Sequence, residues 1–168
     1  MKNLYIDFDG VIMNTIEISY EDMKREEIDQ TDINAIKKFY SNLDWDNLLK
    51  RSSIINDGIN SIKRILESEL FEVTILTHVN SLNEAIHKIK YIRKYFKDIT
   101  IIPVPRELSK TDMVHVNNSI LIDDYAGNLT EWKEKGGIAI RFSPKMNGKG
   151  FIVLDKLDQI LDMKEIFS

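Results

Sequence analysis

Short apolar runs alternate with stretches of helical periodicity along this chain, and that alternation leaves few folds open. Leu4-Tyr5-Ile6 runs into Asp7-Phe8-Asp9-Gly10 and reads as a buried strand closed by a glycine turn. Phe71 to Leu76, ending in Thr77, reads as a second strand, and Ile99 to Val104 as a third. Ser119 to Ile122, ending in Asp123-Asp124, is the fourth, Ile138 to Arg141 the fifth and Phe151 to Leu154 the sixth. Between them, Asp57 caps a helix through Glu67 with Ile59, Ile62, Ile65 and Leu66 on one face. Leu82 to Phe96 repeats Ile86, Ile89, Ile92 and Phe96 at helical spacing. A helix after Asp124 runs to Lys135 and is closed by Gly136-Gly137, and Leu157 to Phe167 reads as the last helix. Strands alternating with helices imply an α/β fold, a Rossmann-like parallel sheet with helices on both faces.

Met13 to Ile55 breaks the rhythm. Glu, Lys, Ile and Leu recur there at helical spacing, with helix starts at Thr31-Asp32 and at Asp44. Six Lys/Arg stand against ten Asp/Glu between Met13 and Asp57, so this helical insert is acidic. The expected organisation is a core of residues 1–12 and 56–168 with a small helical insert at 13–55. A chain of 168 residues accommodates that in one compact unit.

Charge and cysteine content narrow the chemistry. A net charge of −4 offers no general attraction to nucleic acid or to an anionic membrane. There is no cysteine, which excludes disulfides, thiolate metal sites and a cysteine nucleophile and suits a reducing cytoplasm. The N-terminus meets acidic residues at once, so a signal peptide is not expected, and no apolar stretch is long enough for a membrane helix.

In open parallel sheets, sites form beyond the carboxyl ends of the strands. The first strand ends at Asp7 and Asp9, the second at Thr77 and the fourth at Asp123 and Asp124, and Lys110 follows the third. Carboxylates gathered at neighbouring strand ends repel one another, and a divalent cation relieves that. Oxygen-only ligands favour magnesium over zinc. The two-residue spacing of Asp7 and Asp9 points both side chains to one side, and Gly10 permits a tight turn with backbone N–H groups free near an anion. One carboxylate suits attack on phosphorus and the other suits proton transfer.

With those residues in place, the chain resembles the haloacid dehalogenase superfamily. The Asp-x-Asp-Gly-Val strand end at Asp7 to Val11, the apolar strand ending in Thr77, the lysine at Lys110 and the acidic pair Asp123-Asp124 follow in that family's order. Lys97 and Lys133 compete for the lysine position, but Lys110 lies between the third and fourth strands at a fitting distance. The resemblance implies a magnesium-dependent phosphate-monoester hydrolase. In it Asp7 is the nucleophile that becomes an aspartyl-phosphate, and Asp9 is the acid and then the base. Thr77 binds the phosphoryl group, and Lys110 offsets the charge that Asp7 and phosphate share. Mg²⁺ is held by Asp7, the Asp9 carbonyl and Asp124, with Asp123 in support. The insert takes the position of a cap over the active site.

A narrower pattern is similar to the 5′(3′)-deoxyribonucleotidase family: Ile122-Asp123-Asp124, Asn128, Trp132, Gly136-Gly137, Phe142 and Asn147. It implies a nucleoside monophosphate as substrate, a sugar phosphate being the alternative and a non-catalytic phosphate-binding module a third. His78-Val79 after Thr77 departs from the small residue or Ser usual in those nucleotidases. His78 is a candidate substrate contact. Phe39, Tyr40 and Trp45 suit either a nucleobase stack or the insert's own core. The basic loop Arg141 to Lys149 suits either a nucleotide contact or a solvated surface.

Overall fold

The computed structural model describes residues 1–167. Its elements run β1 (Lys2–Ile6), α1 (Thr15–Arg25), α2 (Ile33–Asn42), α3 (Trp45–Arg51), α4 (Gly58–Glu67), β2 (Phe71–Val79), α5 (Leu82–Arg93) and β3 (Thr100–Pro105). They continue with α6 (Lys110–Met113), β4 (Ile120–Asp123), α7 (Ala126–Glu134), β5 (Ile138–Phe142) and β6 (Ile152–Leu154). A 3₁₀ turn at Leu157–Asp162 and α8 (Lys164–Phe167) close the chain.

The six strands form one parallel sheet in the order β3-β2-β1-β4-β5-β6. Ile6 in the central strand pairs with Ile75 on one side and Ile122 on the other, and all three are fully buried. Alternation along β1 sorts the side chains by face. Leu4, Ile6 and Phe8 join Ile62, Ile65 and Ile75 in one core. Tyr5 joins Leu76, Leu121 and Trp132 in the other. Helices therefore cover both faces, as a parallel sheet requires. Trp132 donates its indole N–H to the Ser119 carbonyl at 3.0 Å and stands edge-on to Tyr5.

The order of the strands locates the crevice. From β1 the chain moves outward through β2 to β3, then returns to place β4 on the other side of β1. Connections diverge at the β1–β4 boundary, which is where open α/β sheets bind ligands.

Between β1 and α4 lie three helices. Asp32 caps α2 by accepting from the Asn34 and Ala35 N–H groups, and Asp44 caps α3 by accepting from Asn47. Helix α3 packs on α1 and α5. Among the described residues, no helix is long and apolar enough to cross a membrane.

Four local expectations change. Asp57 takes the N-cap position of α4 but is left-handed (φ 58°) and makes no side-chain cap; its carboxylate accepts from the Asn60 and Arg64 side chains instead. The last helix splits, because Gln159 folds back to accept from the Asp155 and Lys156 N–H groups and Met163 leaves helical geometry (ψ 50°). Helix α5 ends at Arg93 rather than Phe96. Its inward side follows the expected stripe only in part: Ile92 is buried, and so is Phe96 beyond the helix end, but Glu84, Ala85 and Lys88 are buried too and Ile86 is exposed.

Candidate active site

Asp7 leaves the end of β1 still tied to the sheet, its N–H donating to the Ile122 carbonyl at 3.0 Å. The chain then turns sharply. Gly10 adopts φ +76°, and a Cβ there would lie 2.3 Å from Asp124 Oδ2. Both the backbone conformation and the close approach of Asp124 require glycine. The turn spends its own donors: Gly10 N–H bonds to the Met13 carbonyl, and those of Val11 and Ile12 bond to Phe8. Those three N–H groups are thus not free for an anion, contrary to the expectation from Gly10.

At the neighbouring strand end, Asp123 is fully buried and saturated. It accepts from the Tyr125 N–H at 2.9 Å, Lys110 Nζ at 2.7 Å and Asn128 Nδ2 at 3.0 Å. Lys110 begins α6, where the Ser109–Asp112 capping box fixes the turn, and its Nζ also lies 2.9 Å from Asp7 Oδ1. Burial alone would lower the Lys110 ammonium; Asp123 and Asp7 outweigh it and hold the group above its usual range. Burial alone would raise Asp123, but Lys110 and three hydrogen bonds keep it low.

Asp7, Asp123 and Asp124 each bring a carboxylate oxygen within 4.8 Å of the others. Burial, then Asp123, pushes Asp7 up to about 7 despite Lys110. Burial, then Asp7 and Asp123, pushes Asp124 up to about 9. One ammonium does not balance three converging carboxylates, and a divalent cation with oxygen ligands fits the remaining charge. Asp7 and Asp124 are the open members of this set, since the Asp123 oxygens are taken by protein donors.

Asp9 borders the same cavity but is held by different partners. Its Oδ1 accepts from Thr15 Oγ1 at 2.6 Å and its Oδ2 from Lys88 Nζ at 2.6 Å. Lys88 also donates to Thr77 Oγ1 and to the His78 carbonyl, each at 3.0 Å, and pairs with Glu84. Thr77 is fully buried below this lysine and does not line the cavity. His78 does line it, but a carbonyl oxygen only accepts, so the ring Nε2–H is committed to the Leu108 carbonyl at 2.9 Å. That bond braces the loop leading to Lys110. Burial lowers the His78 pKa and favours the neutral ring.

A cavity of about 360 Å³ opens above Asp7, Asp9 and Asp124. Its outer wall includes Tyr20, Tyr40, Trp45, Arg106 and Tyr125. Tyr40 OH meets Ser19 Oγ at 3.0 Å, whereas Phe39 is buried beside Tyr40 within the three-helix segment. The aromatic trio thus divides: Phe39 and Trp45 are core packing, Trp45 bordering the cavity with an edge, while Tyr40 reaches into it. Arg141, Lys145 and Lys149 do not line it. Arg141 instead donates to the Asp124 and Asn147 carbonyls, bracing the strand end.

Sequence reasoning missed Lys88, Glu84 and Thr15. The signal available was the spacing Glu84, Lys88, Ile92, a third helical stripe that an isoleucine count passes over.

Comparison with known proteins places the fold. No protein-family model matches the chain, and no curated protein matches it. Solved structures do. A hydrolase from Pseudomonas syringae superposes with a TM-score of 0.66 at 12% identity, covering all of both chains. A HAD phosphatase from Thermococcus onnurineus gives 0.65 at 17% identity over 98% of each chain. A HAD-hydrolase from Bacillus subtilis bound to magnesium gives 0.58 at 12% identity, over 99% of this chain and 98% of that one. The six-stranded parallel sheet with flanking helices is the haloacid dehalogenase-like fold.

Proposed function

We propose that this fold carries a magnesium-dependent phosphatase acting on a small phosphate monoester through an aspartyl-phosphate on Asp7. The observation that carries the reading is the convergence of Asp7, Lys110, Asp123 and Asp124 at the divergence point of the sheet, with Asp9 on the adjoining turn. Nucleophile, charge partner, cation ligands and a separately held acid/base are what phosphoryl transfer asks of a protein.

An Asp7 oxygen attacks phosphorus, forming a new P–O bond as the bond to the leaving oxygen breaks. The Asp9 carboxyl gives its proton to that oxygen, which departs as an alcohol. Water then attacks phosphorus, the Asp9 carboxylate takes its proton, and the Asp7–phosphorus bond breaks to release inorganic phosphate. Lys110 stays on Asp7 and offsets charge shared with the phosphoryl oxygens. Thr77, buried beneath Lys88, acts by holding that lysine, and His78 supports the Lys110 loop beside the substrate. Asp7, Asp124 and the Asp9 carbonyl would hold Mg²⁺, with Asp123 in support through Lys110 and Asn128. The ion supplies charge neutralisation and Lewis acidity at the phosphate.

The three-helix segment 13–55 serves as the cap. A cavity of about 360 Å³ suits a small ligand. Tyr40 in its wall favours a (deoxy)nucleoside monophosphate, whose base presents an apolar face to stack. The acid-rich insert disfavours nucleic-acid ends. Phosphate release from a panel of ribo- and deoxyribonucleoside monophosphates and sugar phosphates, with Mg²⁺, ranks the substrates. The nucleotides are expected to lead in kcat/KM; a sugar phosphate that beats every nucleotide overturns the substrate assignment.

A further inference from the structure

We infer that Lys88 is the positioning residue of the acid/base Asp9, a role that rests on the phosphatase reading above. Lys88 is 1% exposed, among the largest fully buried side chains of the protein, and its ammonium reaches Asp9, a carboxylate of the site that Lys110 does not touch. The division is clean: Lys110 serves Asp7 and Asp123, and Lys88 serves Asp9 and Glu84.

Both Asp9 oxygens are held. Thr15 donates to Oδ1 and Lys88 to Oδ2, each at 2.6 Å, so the carboxylate plane is fixed from α1 and α5 at once. An acid/base on a turn needs such restraint, because small misplacements cost rate steeply. The lysine is itself immobilised. It donates to Thr77 Oγ1 and the His78 carbonyl and pairs with Glu84, whose other oxygen accepts from Asn80 N–H at 2.8 Å and Nδ2 at 3.2 Å. The Trp45 ring lies 4.6 Å from Nζ and the Phe8 ring 5.4 Å, sealing the ammonium between α3 and the turn that follows β1. Glu84 balances the charge, so Asp9 is gripped by a neutral pair rather than by a bare cation. A pair serving the fold alone needs only the Glu84–Lys88 contact four residues apart on α5; the reach to Asp9 is what it leaves unaccounted for.

The test separates proton donation from general damage. Departure of p-nitrophenolate needs no proton, whereas an alkoxide needs one. kcat/KM is measured with Mg²⁺ for p-nitrophenyl phosphate and for a simple alkyl phosphate. The proteins are the wild type, Lys88→Met and the charge-balanced Glu84→Gln/Lys88→Met, with Asp9→Asn as reference. A misplaced Asp9 lowers the alkyl ester by about 10²-fold, the scale of general acid catalysis, and p-nitrophenyl phosphate by less than about tenfold. Equal losses on both esters, no loss on either, or collapse of the fold in both lysine variants assigns Lys88 to the fold and overturns the proposal. Wild type inactive on both esters overturns the phosphatase reading itself, and the Lys88 role with it. An active wild type with an unchanged ratio in the variants overturns the Lys88 role alone.

Discussion

Lys110 Nζ stands 2.9 Å from Asp7 Oδ1, and this contact links the start of α6 to the end of β1, far apart in sequence. The same nitrogen lies 2.7 Å from Asp123 Oδ2. Lys110→Met removes the ammonium held against Asp7 and leaves two buried carboxylates, Asp7 and Asp123, without it. Breaking a buried pair from one side costs about 3–5 kcal/mol of stability. Loss of a charge contact in the transition state costs about 10²–10³ in rate. Urea unfolding and phosphate release measure the two effects. Wild-type activity in Lys110→Met would remove the lysine from the mechanism.

Asp7 and Asp124 tie stability to pH and to metal. Their folded pKa values, about 7 and about 9, lie above the ordinary carboxylate range near 4. The native state therefore binds more protons than the unfolded state between those values. The stability of the metal-free protein falls as pH rises from about 4 through about 7 and 9. Asp124→Asn should flatten that slope and raise the metal-free Tm at pH 8. Mg²⁺ at a hundredfold excess over its Kd should raise the wild-type Tm by about 5–10 °C at pH 8 and far less at pH 5. In Asp124→Asn the Mg²⁺ shift should shrink at both pH values. Scanning fluorimetry with and without Mg²⁺ reads all of these.

Gly10→Ala tests the turn that brings the strand ends together. The left-handed φ of +76° penalises alanine by about 1–2 kcal/mol. The added methyl also meets Asp124 Oδ2, a side-chain end able to rotate away at the expense of the site. The expected outcome is a protein that folds with slightly lowered stability, while its Mg²⁺ affinity and activity fall by about tenfold or more. Isothermal titration with Mg²⁺ and circular dichroism separate the two effects.

The sheet and the acidic strand ends were legible because their signals are local. A run such as Leu4-Tyr5-Ile6 ending in Asp7 states both burial and termination within a few residues. Asp32 and Asp44 likewise announce their helices and cap them. What was not legible depends on long-range contact. Lys88 sits on a helix with a plausible apolar stripe, and the packing of α5 against α3 and β2 turns its Glu84–Lys88 side inward. Thr77 reads as a phosphate contact by its place after a strand, yet β2 continues to Val79 and its hydroxyl meets Lys88. The Asp57 cap failed because Asn60 and Arg64 compete for its carboxylate. The expected N–H cradle at Gly10 failed because the turn bonds to itself.

Asp7→Asn removes the proposed nucleophile while keeping the size of the side chain. Phosphate release from p-nitrophenyl phosphate with Mg²⁺ is measured for wild type and variant at equal folded concentration. Wild type is expected to release phosphate in a Mg²⁺-dependent way, and the variant to lose at least about 10³-fold, in line with removal of a covalent nucleophile. No release by wild type, or equal release by Asp7→Asn, contradicts the mechanism.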